Sequence, residues 1–291
     1  TGGRGLVAGR LAEYLNSKSH QVKLVGRKRI DNYYRKKLSI HFINWNRDTS
    51  IKSNLKNIDV IIHTAGSNSE DAKKNPKKAK KFKQKSTSKL IYYAKKMKIR
   101  KIIYISSTHI YKKIDKKIPY KIAHLAAEKK LFEIGSNNEL QYIILRVSNI
   151  IGVPIKKASA CWTLLVNDLC QQTISNKKMI VKSNKNENIN LITMTEVSRV
   201  INLIIKDKNF KSGTYNLVSD KNKSIFQISK IIRFRCNKLY KYKRTIKKIH
   251  KEINLHSFAR VNIYKLIINQ SLTKKIDMIL TAHHKDDLIE N

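Results

Sequence analysis

Two rhythms alternate along the first half of the chain. Short β-branched runs occupy Val22 to Val25, Asp59 to His63, Lys101 to Ser106 and Leu140 to Arg146. Segments of helical length lie between such runs, among them Leu6 to Ser17, Ala72 to Met97 and Ile122 to Ile134. Continuous apolar strands joined by helices predict an α/β architecture whose parallel sheet is covered on both faces. After Gly152 the rhythm is less regular. Helices are expected over Trp162 to Thr173, Thr195 to Ile205 and Ser224 to Arg233, and strands over Met179 to Lys182 and Gly213 to Val218. Past Asn237 only a lysine-rich stretch and a tail can be read, and no internal repeat is visible.

Length and composition narrow this picture. A chain of 291 residues, 41% apolar, suits one large domain or a core domain with a smaller lobe, and is too apolar for a disordered basic tail. The 3 cysteines, Cys161, Cys170 and Cys236, form no CxxC, so neither a disulfide framework nor a four-thiolate zinc site is expected. They read as small buried hydrophobes in a reducing, cytoplasmic compartment. The 9 histidines show no HExxH or similar spacing, and no metal is expected. Polar residues such as Gln141, Arg146 and Asn149 break the apolar runs well short of a membrane span, and Thr1 is not followed by a signal segment. The missing initiator methionine suggests that the chain begins inside a longer reading frame.

The formal charge of +42 invites a nucleic-acid reading. Yet 49 of the 62 basic residues are lysines, whereas base reading favours arginine's planar fork. The densest run, eight lysines from Lys73 to Lys85, holds Phe82 as its one aromatic and lacks an RNP-like or zinc-finger pattern. Solvated helix faces account for such charge, and nucleic acid is not the expected partner.

Chemistry begins at Thr1-Gly2-Gly3-Arg4-Gly5-Leu6-Val7-Ala8-Gly9, where small residues occupy a turn and the helix start after it. Glycine there lets backbone N–H groups approach a pyrophosphate, and the helix N-terminus adds partial positive charge. In order along the chain follow Asp59-Val60-Ile61-Ile62-His63-Thr64-Ala65-Gly66, Ser107-Thr108-His109-Ile110-Tyr111, Leu145-Arg146-Val147-Ser148-Asn149-Ile150-Ile151-Gly152, Met194-Thr195-Glu196-Val197 and Gly213-Thr214-Tyr215-Asn216-Leu217. Together these resemble the extended short-chain dehydrogenase/reductase family, the NAD(P)-dependent sugar epimerases and dehydratases. Its motifs are TGxxGxxG (with Ala8 here at the third glycine), DxVIHxAA, (S/T)xxxY, LRxxNxxG, VDD and GxYNL.

The resemblance implies a Rossmann-type, doubly wound parallel sheet over residues 1–152. A smaller α/β substrate lobe with a basic C-terminal region is expected over residues 153–291. The family's first strand, which precedes TGxxGxxG, is missing from the sequence. Cofactor contacts are expected from Gly2, Gly5, Ala8, His63, Ala65 and Gly66, and from Tyr120 and His124 beyond them, with His63 packing near the cofactor and not ligating metal. After the second strand, Gly26-Arg27-Lys28-Arg29 contains no carboxylate to accept from a ribose 2′-OH, so Arg27 favours NADP over NAD.

For catalysis the resemblance implies that Ser107 orients the substrate oxygen and that Tyr120 moves the proton, within a frame the family writes YxxxKxxAE. Here that frame reads Tyr120-Lys121-Ile122-Ala123-His124-Leu125-Ala126-Ala127-Glu128, and His124 stands at the lysine position, where it would hold the ribose. A neutral imidazole stabilises a phenolate less than an ammonium does. The chain also resembles a divergent YxxxH branch of the family, at this frame, at the STHxY segment and over Cys161 to Cys170. Thr108, His109 and Asn149 are expected to face substrate.

Other departures are visible. Lys83 aligns with a family asparagine, Ser107 and Tyr120 lie only 13 positions apart, and Thr108-His109 replaces the Asp-Glu pair of the dehydratases. The arginine that clamps a nucleotide-sugar diphosphate aligns near Ile189. The expected activity is hydride transfer on a sugar or nucleotide sugar by an epimerase/dehydratase-like oxidoreductase, with a homodimer compatible. A catalytically impaired NADP-binding sensor and a basic nucleic-acid-binding protein on the same fold are the alternatives.

Overall fold

Three of the apolar runs, free of polar alternation, become neighbouring parallel strands: β4 (Val60–His63), β5 (Lys101–Ser107) and β6 (Gln141–Val147). The computed structural model describes residues 1–34, 38–111, 118–134, 140–155, 161–176, 179–181 and 187–240. They fall into two compact units. One holds Thr1–Ser148 with Ser198–Leu217, and the other Asn149–Val197 with the residues from Val218 on.

In the first unit a sheet is ordered β4-β5-β6-β9, with β9 (Gly213–Leu217) parallel to β6. All 7 residues of β5 are buried, as a central strand covered on both faces requires. Alternate residues serve opposite faces. Ile102 and Tyr104 pack with Leu90, Tyr93 and Ala94 of α4 (Pro76–Lys96) and with Ala127 and Leu131 of α5 (Pro119–Phe132). Lys101 instead sends its ammonium to the carbonyls of Ile204 and Asp207, both at 2.7 Å, at the end of α7 (Met194–Lys206). Those carbonyls lack helical partners, so a buried cation there satisfies them and meets the negative end of the helix dipole.

A second sheet is ordered β1-β3-β2, from β1 (Leu24–Gly26), β3 (Leu38–Phe42) and β2 (Ile30–Tyr34). β1 and β3 are parallel, and β2 runs antiparallel to β3. Helix α1 (Leu6–Ser17) lays Ala8 and Ala12 on Leu24, Leu38 and Ile40. The opening residues are bonded on both sides: Gly3 N–H donates to Val25 of β1 at 3.0 Å, and the Thr1 amino group donates to Ile62 of β4 at 2.6 Å.

The helix expected over Ala72 to Met97 is two helices, α3 (Ser69–Lys74) and α4, divided at Asn75-Pro76. Proline at the first position of α4 has no N–H for a preceding turn and starts the new helix instead. Asn68 caps α3 by accepting from the Asp71 N–H at 2.7 Å. The pattern did not signal β2, β3 or α2 (Asp48–Leu55).

The second unit orders its strands β10-β8-β7: β7 (Asn149–Ile151), β8 (Asn188–Thr193) and β10 (Asn222–Ser224). Its core joins Val166, Leu169 and Cys170 of α6 (Leu165–Asn176) to Ile228, Ile232 and Cys236 of α8 (Ile225–Tyr240). Trp162 packs against this core, and all three cysteines are buried thiols outside any disulfide. Burial pushes the Cys170 and Cys236 thiols up, the latter to about 11, which makes them poor nucleophiles. Met179 to Val181 carry no strand, and Lys182 lies outside the described residues, as do residues 241–291 of the lysine-rich tail. No described helix is long and apolar enough to cross a membrane.

Candidate active site

The turn before α1 has the backbone a diphosphate needs. Gly2 adopts φ +82°, a left-handed conformation that side chains disfavour, and a Cβ there would lie 2.6 Å from Thr64 Oγ1 and 3.0 Å from the Ala65 nitrogen. Gly3 was not singled out from the sequence, yet a Cβ on it would meet the Leu24 side chain at 2.8 Å. Gly5 is the N-cap of α1, with no side-chain cap and no acidic residue in the first turn. Its own Cβ space is open apart from the Gly2 carbonyl at 3.3 Å. Uncapped N–H groups behind a glycine cradle fit the paired phosphates of a dinucleotide. Ala8 is buried between α1 and the sheet, so it sets how closely the helix approaches.

Arg27 follows β1 and is exposed, together with Lys28 and Arg29. His63 ends β4 at 1% exposure, with Nδ1 2.7 Å from Thr1 Oγ1 and Nε2 3.4 Å from Ser86 Oγ. Burial first and the Lys83 charge second hold its pKa well below the usual value, so it is a neutral packing residue. Among the described residues no group of histidine, cysteine and acidic side chains could hold a metal ion. Ala65 and Gly66 follow β4, with Ala65 in the main core.

At the C-terminal end of β5 the structure brings Ser107, His109, Tyr120 and His124 together. Ser107 Oγ lies 2.9 Å from His109 Nδ1 and accepts from the His109 N–H at 3.2 Å, within the 3₁₀ turn Thr108–Tyr111. Tyr120, half-buried at the start of α5, stacks edge-on against His124 with ring centroids 4.5 Å apart. Burial raises the Tyr120 phenol, and a hydrogen bond with Ser107 works against that rise. Residues 112–117, half of the shortened interval between Ser107 and Tyr120, lie outside the described residues.

Behind this surface lies a buried polar network that sequence reasoning did not assemble. Lys83 of α4, 3% exposed, places Nζ 3.2 Å from His124 Nε2 and donates to Tyr104 Oη at 3.1 Å. His124 Nδ1 is 2.9 Å from Tyr104 Oη and 3.4 Å from Ser106 Oγ. Both nitrogens of the ring expected to hold the ribose therefore face protein groups. Ser106 donates to Glu128 Oε1 at 2.5 Å, and Arg146 closes the chain with Nε and a terminal nitrogen on the two Glu128 oxygens at 3.2 and 2.7 Å. Glu128, 1% exposed, is thus fully paired, as a buried carboxylate must be. Desolvation brings Lys83 down to about 7 against the raising pull of Glu128. Burial, then the Lys83 charge, takes His124 well below the usual imidazole value.

One signal could have found Lys83. It falls on the buried stripe Ala79, Lys83, Ser86, Leu90 of α4, where helical spacing predicts a core residue. Tyr111 is half-exposed, held by Arg146 at 2.7 Å and donating to Asn216 at 2.8 Å. Asn149 belongs to the second unit, where it donates to the Asn190 carbonyl at 3.0 Å.

Comparison with known proteins bears on the family and the fold. The model of the NAD dependent epimerase/dehydratase family matches residues 1–217. No curated protein matches the chain by sequence. Among solved structures, MoeE5 in complex with UDP-glucose and NAD superposes with TM-score 0.69 at 16% identity, covering 82% of this chain and 80% of that one. The UDP-glucose 4-epimerase of Thermus thermophilus, complexed with NAD, gives TM-score 0.69 at 14% identity, over 81% and 82% of the two chains. The UDP-N-acetylglucosamine 4-epimerase of Bacillus cereus gives 0.67 at 16%, over 91% and 94%. At such identities the likeness shows a shared Rossmann-like α/β fold, and with the match over residues 1–217 the chain belongs to the NAD dependent epimerase/dehydratase family.

Proposed function

We propose that the protein is an NADP-preferring oxidoreductase of epimerase type that acts on a sugar or nucleotide sugar, with cofactor bound by residues 1–152 and substrate recognised by residues 153–291. The observation that carries this reading is the meeting of Ser107 and Tyr120 at the C-terminal end of β5, in a unit that also carries an uncapped glycine turn. Gly2, Gly3 and Gly5 would hold the diphosphate, and Arg27 would meet a ribose phosphate. A nicotinamide held there would supply hydride acceptance and return. Ser107 orients a substrate hydroxyl through its Oγ, while the Tyr120 oxygen takes and returns that hydroxyl's proton. Thr108 and His109 lie beside them on the 3₁₀ turn, and we assign them, with Asn149, to substrate contact. No acid and base pair follows Ser107, which favours epimerisation or reduction over elimination of water.

UDP-sugars occur with the structural relatives, so the first substrates to try are UDP-glucose and UDP-N-acetylglucosamine. Calorimetric titration of NADP and NAD, followed by turnover assays read by nucleotide-sugar chromatography, tests the proposal. Binding of NADP at least about tenfold tighter than NAD, lost on Arg27→Ala, is expected. Absence of dinucleotide binding would overturn it. Binding without turnover would favour the second reading, a cofactor-binding sensor, which the inward-facing nitrogens of His124 support.

A further inference from the structure

Three departures from the family pattern, far apart in sequence, converge on one point of the fold. Lys83 stands where the family has asparagine, His124 where it has lysine, and Gly66 where it has alanine. In the structure Lys83 Nζ lies 3.2 Å from His124 Nε2, and a Cβ added to Gly66 would collide with Lys83 Cε and sit 2.8 Å from Nζ. The lysine arm thus occupies the space an alanine methyl would fill. A lysine at position 124 would bring a second ammonium against the first in a desolvated site, where two like charges cannot both stay ionised.

We propose that these are one exchange: Lys83 brings from α4 the amine that α5 lacks at position 124, and acts as a positioning residue that holds the His124 ring against the ring of Tyr120. The inference rests on Tyr120 as the proton-transfer group. In its ammonium form Lys83 can only donate, so Nε2 then accepts and the imidazole proton resides on Nδ1, directed at Tyr104 Oη 2.9 Å away. With both nitrogens tied, the ring is fixed in rotation, and it meets the Tyr120 ring in a T-shaped contact with centroids 4.5 Å apart. The groups facing Lys83 are Tyr104 on β5, His124 and Glu128 on α5 and His63 on β4. Its charge adds to burial in keeping both His63 and His124 neutral.

The test is a set of variants of the full chain: Lys83→Asn, Lys83→Gln, His124→Lys and the pair Lys83→Asn with His124→Lys. Two readouts need no cofactor: the thermal midpoint, and the nitrogen NMR shifts of the His124 imidazole. Lys83→Asn, whose shorter arm draws its amide back from Nε2, should release the single tautomer of His124 and raise its pKa, whereas Lys83→Gln, whose longer arm brings an amide N–H closer to Nε2, should preserve more of it. His124→Lys alone should lower the midpoint by several degrees, and the pair should regain most of that loss, with turnover about tenfold above either single variant. An unchanged His124 tautomer in Lys83→Asn, or a pair no better than its worse member, would overturn the exchange. If dinucleotide binding fails while the NMR and stability couplings hold, the functional reading falls and the Lys83–His124 coupling stands. If binding holds and the couplings are absent, only the exchange falls.

Discussion

The glycine turn before α1 and the side-chain cluster between α4 and α5 belong to the same unit, yet they tolerate change in opposite ways. The turn is built from backbone: the role we propose for it would lie in N–H groups, a φ of +82° at Gly2 and the space glycines leave open, and nothing elsewhere can replace those features. It keeps the family's spacing. The cluster is built from side chains that reach across 3 Å gaps, so a charge lost on one helix can be restored from another. It departs from the family at three positions. A site made of backbone is constrained residue by residue, whereas a site made of side chains is constrained only in its sum of donors, acceptors and charge.

The comparison breaks most severely if the cluster's deepest charge is removed. Glu128→Ala leaves Arg146 and Ser106 without their shared acceptor and withdraws the charge that raises the Lys83 pKa, so a loss of about 3–5 kcal/mol is expected in urea unfolding. Next comes the turn. Gly2→Val adds strain at a positive φ and a contact of 2.6 Å with Thr64, and dinucleotide affinity should fall by about a hundredfold or more, read by calorimetry.

A smaller effect sharpens the contrast through pH. Lys83 titrates at about 7 in the folded protein and at 10.5 when exposed, so between those values the unfolded chain holds a proton the folded one has released. Its burial penalty is complete below pH 7, and stability should rise with pH from about 7 to 10.5 and then level. Subtracting the pH dependence of Lys83→Met from that of the parent isolates this rise. A flat difference would show that Lys83 is not buried as a cation.

Several things about this protein were written in its sequence, because they follow from local chemistry. Unbroken apolar runs specify buried strands, so β4, β5 and β6 were legible within a residue or so. Helix α1 was readable at both ends from the glycine turn and its amphipathic period. The order of motifs was enough to expect the family. Short strands such as β2 and β3 were not legible, because their pairing across the sheet, and not their own pattern, makes them strands. Asn75-Pro76 should have divided the long helix, since proline's missing N–H is a local fact.

What only the tertiary structure decided is the meaning of the substitutions. Read in sequence, Lys83 and His124 are two defects 41 positions apart. Folded, α4 and α5 lie side by side over β5, and the two side chains meet across a space that Gly66 leaves clear. Spacing along a helix reports which face a residue occupies, but which partner that face meets depends on the packing of whole elements. The charge balance of a buried site exists only once those elements are assembled.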